Sequence, residues 1–125
     1  MKIFNRAVKV LERLTFRKLE VETTGAGTAA AAAVTVNEVA GIITTESLTT
    51  VQNAIYALTL TNDKIDANSL VFATVEDGTN TQGTPMIGQV KPGAGTCTIE
   101  VINKHASAEA LNGTLKIRFF VLNAA

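Results

Sequence analysis

The chain has 125 residues and a mass of 13.1 kDa, one domain's worth, and a fold of that size buries roughly two thirds of the surface its unfolded chain exposes. Apolar residues make up 46% of it, aromatics 5%, and Trp is absent; the core must come from Val, Ile, Leu, Ala and a few Phe, which favours packed sheets over an aromatic ligand pocket. Net charge is zero, yet residues 1 to 20 hold six bases against Glu12 and Glu20, so a segment of +4 precedes a body of −4, an asymmetry suited to docking on an oppositely charged neighbour.

In residues 2 to 20, Ile3, Phe4, Ala7, Val8, Leu11 and Leu14 recur at the 3 and 4 spacing of one helical face. Lys2, Arg6, Lys9, Glu12 and Arg13 fall largely on the other. With no Pro or Gly to interrupt it, this is expected to be an amphipathic helix, or one that forms on contact, ending near Thr15. Residues 1 to 22 are taken as a basic arm. The small, uncharged residues 23 to 33, "TTGAGTAAAAA", have the composition of a linker, with Thr28 before the alanines and the β-branched "VTV" after them favouring an extended arm that feeds a strand.

From residue 34 to 125 the texture becomes Thr, Val, Ile and Asn in short runs broken by turn residues every 8 to 12 positions, the spacing of a sandwich or barrel. Strands are expected at 33–39, 41–48, 54–62, 69–76, 84–91, 95–103 and 113–122. In "AIYALTLTN", Tyr56, Leu58 and Leu60 share one face, and Ala57, Thr59 and Thr61 the other. Cys97 alternates with Ile99 and Val101 and should face the core. In the last strand Leu115, Ile117, Phe119 and Val121 point inward against Lys116 and Arg118, while Phe120 and Leu122 break the polar row and leave an outer apolar surface that needs a cover. Asp77-Gly78, Asn112-Gly113 and Lys91-Pro92-Gly93 are expected turns, the first two with left-handed backbone angles, and Pro85 suits a strand start.

Chemistry-bearing residues are few. Cys97 is the only cysteine, which excludes an internal disulfide and fits assembly in a reducing cytoplasm. His105 is the only histidine; "NKHAS" supplies no nucleophile or acid at a fixed spacing, so a loop histidine hydrogen-bonded to backbone is favoured over a triad base. Asp63, Asp66, Glu76 and Asp77 lack calcium-loop spacing, and no metal or cofactor is assigned. Of the two "GAGT" stretches, the first leads into an alanine run and the second into a strand, and neither is read as a phosphate loop. Neither a signal peptide nor a membrane span is expected. Nucleic acid is not an expected partner: the arm is basic, but the body is acidic and lacks an aromatic stacking platform. No small-molecule substrate is expected, and a carbohydrate-binding module would need more exposed aromatic surface than Tyr56 offers.

The stretches "VTVNEVAGIITTESLTT", "YALTLTNDKI" and "GTPMIGQVKPGAGTCTIEVINKHASAEALNGTLKIRFFVL" resemble a group of small tailed-phage virion proteins, among them those of cyanobacterial phages, that serve as capsid decoration or related structural modules. The resemblance spans residues 34 to 122 and carries no catalytic motif. It implies a non-enzymatic capsid decoration, or cement, protein of the virion, assembled in the host cytoplasm and bound to the major capsid protein. A tail, fibre or head-fibre base module is the alternative. The fold expected is all-β, a jelly-roll-like antiparallel β-sandwich of about eight strands with the N-terminal helical arm. A homotrimer would match threefold positions on an icosahedral shell. The arm, outside the resemblance, is expected to be the anchor: Ile3, Phe4, Val8, Leu11 and Leu14 bury apolar surface on the shell or between subunits, and Arg6, Lys9, Arg13 and Arg17 orient it.

Overall fold

A computed structural model describes residue 20 and residues 24 to 123. The expected helical arm, and with it Ile3, Phe4, Arg6, Val8, Lys9, Leu11, Arg13, Leu14 and Arg17, lies outside the described residues. The described chain is all-β, with strands β1 (Gly25–Thr28), β2 (Ala33–Thr35), β3 (Ala40–Thr44), β4 (Ile55–Thr61), β5 (Leu70–Asp77), β6 (Pro85–Gly93), β7 (Thr96–Asn103) and β8 (Leu115–Leu122).

Two four-stranded sheets form, sheet A in the order β1-β3-β8-β5 and sheet B in the order β2-β4-β7-β6. They share one core, a sandwich-like arrangement. Ile43, Leu58, Leu60, Ile99, Val101, Leu115 and Ile117 are completely buried, each contributing about 2 kcal/mol by removal from water. The alternation read from sequence holds in β4, β7 and β8: Tyr56, Leu58 and Leu60, then Cys97, Ile99 and Val101, then Leu115 to Val121 by twos all point inward.

Two expectations are corrected. The sheets are mixed rather than wholly antiparallel, because β1 pairs with β3 and β2 with β4 in parallel. The chain crosses between sheets at nearly every early turn, so strands two apart in sequence return to the same sheet running the same way. The segment expected as a linker also carries β1, whose Gly25 and Gly27 lie so close to Val36 and Val34 that a Cβ would sit 2.6 Å from a valine methyl. Only glycine lets the two edge strands approach there.

Turn chemistry differs in detail. Gly83 and Gly95 have φ of 74°, whereas Gly78 and Gly113 do not take the left-handed angles expected of them. Gly113 is instead a close-approach position, its missing Cβ leaving room for the backbone N of Asn80 at 2.6 Å. The reversal expected at Lys91-Pro92-Gly93 falls at Ala94-Gly95, between the ends of β6 and β7. Pro85 opens β6, the strand start expected of it; β6 is an edge strand, and Pro92 lies in the same edge.

Candidate functional site

The outer face of sheet A separates into two halves along its strands. Register pairs Leu70 with Leu122, Phe72 with Phe120, Thr74 with Arg118 and Glu76 with Lys116 across β5 and β8, and Ala40 with Phe120 and Ile42 with Arg118 across β3 and β8. One half is therefore apolar, the other charged. Leu70 is 58% exposed, Phe72 56% and Leu122 48%, far above the core residues on the opposite side of the same strands. Phe72 and Phe120 stack with ring centroids 6.2 Å apart. In the charged half Arg118 Nη2 lies 2.6 Å from Glu76 Oε1, with both side chains about half exposed. Phe120 and Leu122 were legible from sequence as an outward break in the polar row; Leu70 and Phe72 were not. Only the register, which sets Val71 opposite Val121 on the inner side, turns the larger residues of β5 outward.

At the opposite end of the body His105 lies in the β7–β8 connection. Its Nε2 is 2.7 Å from Glu109 Oε2 and its Nδ1 3.0 Å from Thr84 Oγ1. The expectation of an imidazole bonded to backbone is thus corrected, since both ring nitrogens meet side chains. It is the His105 backbone that is held: its carbonyl accepts from Gln52 Nε2 at 2.9 Å, and its N–H donates to Asn103 Oδ1 at 3.2 Å. Hydroxyl, imidazole and carboxylate are the three groups of a nucleophile relay. Here they brace a loop to the start of β6.

Three buried asparagines tie the connections together. Asn103 is wholly buried; its amide donates to Thr50 O at 3.0 Å and Glu109 O at 2.7 Å, and its Oδ1 also accepts from Thr84 N–H at 3.0 Å. Asn80 donates to Asp77 Oδ1 and Gln82 O and accepts from the Asn112 N–H. Asn62 donates to Glu38 O and accepts from the Lys64 N–H. Sequence reading placed Asn62 and Asn103 at strand ends without seeing this role; an Asn closing a β-run is the signal, because its amide can satisfy backbone that the ladder leaves unpaired.

The acidic residues considered as ligands are not brought together. Glu76 pairs with Arg118, Asp77 with Asn80, and Asp66 accepts from the Asn68 N–H at 2.7 Å. Among the described residues no three His, Cys, Asp or Glu side chains converge as a metal site, and no helix is long and apolar enough to cross a membrane. Cys97 is wholly buried, and burial pushes its thiol up against the opposing effect of a backbone contact at Lys91. The chain matches no protein-family model, no curated protein sequence and no solved structure.

Proposed function

We propose that the protein is a non-enzymatic structural component of a tailed-phage virion, a capsid decoration protein that binds the major capsid protein as a homotrimer, with residues 1 to 22 as its anchor. The observation that carries this reading is the large apolar face on the outside of sheet A, set on a body whose loops are fixed by buried asparagines. Such a frame suits adhesion, since its binding groups are held rigid before contact. The sequence resemblance over residues 34 to 122 adds the virion context. The strand order supports the finer fold assignment: without β1 and β2, the sheets read β3-β8-β5 and β4-β7-β6, the nested interleaving of a jelly roll.

The test uses a chain lacking residues 1 to 22 and, in the full chain, Arg6→Glu combined with Arg13→Glu. Each is assayed for far-UV circular dichroism and for co-sedimentation with purified shells. A folded body that no longer sediments with shells is expected. Undiminished binding by both forms would overturn the anchor, and preference for tail components over shells would move the protein to the tail or fibre.

A second reading has one observation in its favour. Thr84, His105 and Glu109 present the groups of an acyl-transfer enzyme, with Thr84 Oγ1 as nucleophile. His105→Ala separates the two: decoration requires unchanged particle binding, whereas an enzyme requires loss of ester hydrolysis.

A further inference from the structure

The outer face of sheet A carries its charges in order. Along β5 the outward row runs Leu70, Phe72, Thr74, Glu76; level with these along β8 it runs Leu122, Phe120, Arg118, Lys116. The acid therefore stands on the β5 side of the face and the bases on the β8 side, all at the end away from the apolar half. Glu76 is opposite Lys116 in register but turns to Arg118, which it meets at 2.6 Å. Asp77, the last residue of β5, is taken by Asn80 Nδ2 at 2.8 Å. Among the described residues Lys116 has no carboxylate within ion-pair distance. At the other end Leu70, Phe72 and Leu122 are about half exposed, and an apolar patch of this kind on a small body marks a surface that another molecule covers.

We propose that this face is where copies of the chain meet, around an axis that runs along β5 and β8. Rotation about such an axis preserves height along the strands, so Leu70 and Phe72 of one copy come level with Leu122 and Phe120 of the next, and Glu76 comes level with the next copy's Lys116. The rotation also turns the β5 side of one face toward the β8 side of the other, so the acid meets the unpaired base and not a second acid. Sheet faces packed in this aligned way lie about 10 Å apart with strands within about 30° of each other, which keeps neighbouring levels together. A two-fold axis laid across the strands overlaps only the apolar halves and carries Lys116 past the end of the facing sheet, where it stays unpaired. A partner of another kind would need its own acid at that height beside an apolar surface; a second copy already has both. That three copies share the axis rests on the homotrimer reading. The contact and its polarity do not, since two copies or three satisfy the same levels. The face then lies inside the assembly, and contact with a shell falls to other surfaces.

The test uses the full chain with no shells present. Sedimentation velocity over a concentration series is expected to show an oligomer, and Phe72→Asp, at an exposed position, should weaken its association about tenfold or more with the circular dichroism of the body unchanged. Glu76→Lys and Lys116→Glu should each weaken association about tenfold by setting like charges level, and an equimolar mixture of the two variants should recover it, because each supplies the sign that the other lacks. If Phe72→Asp perturbs the body, the two charge variants decide. A parent chain that stays monomeric at every concentration would overturn the proposal. So would charge variants that associate like the parent, or a mixture no stronger than either variant alone. Shell binding is a separate readout: an oligomer that does not sediment with shells refutes the decoration role and leaves this contact standing, whereas a monomer that does sediment overturns the contact and leaves the decoration role intact.

Discussion

Glu46, in the β3–β4 connection, accepts from the Ala32 N–H at 2.8 Å and from the Tyr56 hydroxyl at 2.7 Å. Burial, the largest influence, pushes its carboxyl up; the Tyr56 hydroxyl and the backbone amides of Glu46 and Ala32 outweigh it and hold the carboxyl below its ordinary value of 4.5. Burial and then the bond to Glu46 raise the Tyr56 phenol above its usual range. For a carboxyl depressed on folding, the stabilisation is present above the unfolded value and is lost as pH falls through the folded one. Glu46→Gln should therefore cost about 1–2 kcal/mol at pH 7, and urea unfolding should show the gap between parent and variant closing as pH drops below 4.5. A gap independent of pH would contradict this account. Nothing in the sequence marked Glu46, because its two donors lie in segments that meet only after folding.

At the scale of elements, the turn between β1 and β2 is unusual in its residues. Ala31 and Ala32 have φ of 51° and 58°, and an antiparallel bridge joins Ala30 to Ala33 around them. Left-handed angles cost an L-residue with a Cβ roughly 1–2 kcal/mol, and the Glu46 carboxylate that captures the Ala32 N–H helps hold the turn closed. Replacing Ala31-Ala32 with Asn-Gly should raise the unfolding free energy by about 1 kcal/mol, less the greater freedom of glycine in the unfolded chain. A lower thermal midpoint for that variant would mean the alanines are not strained. The run of five alanines invited a linker or helical reading by composition; the turn exists because the strands on either side belong to different sheets. The edge strand β6 carries both Pro85 and Pro92, which fit an unpaired edge although Pro92 was expected in a turn, and a bulge between Ile87 and Val90 interrupts it further against pairing with other chains.

Across the whole molecule the two ends differ in character. One end gathers the apolar half of sheet A with the acids around the 62–69 connection. The other is closed by Asn80 and Asn103, which bind segments far apart in sequence. Asn103→Ala would leave Thr50 O, Glu109 O and the N–H groups of Thr84 and His105 without their shared partner. A loss of roughly 3 kcal/mol is expected in urea unfolding, together with faster amide exchange from 104 to 111 and little change at the Leu70–Leu122 end. Uniform loss of protection over the body would show that the closure is not local.

The sequence alone determined the period-2 faces, and with them the inward residues of β4, β7 and β8 and the outward Phe120 and Leu122, since alternation along a strand is a property of the backbone whatever the strand pairs with. It also determined the positions of seven strands, because each lies between turn-forming residues. The tertiary structure decided what depends on neighbours: the parallel pairing of β1 with β3 and of β2 with β4, the outward turn of Leu70 and Phe72, the glycines that serve close approach, and the asparagines that close the loops. Those outcomes follow from register and from contacts between residues distant in the chain, and no local pattern of side chains encodes either.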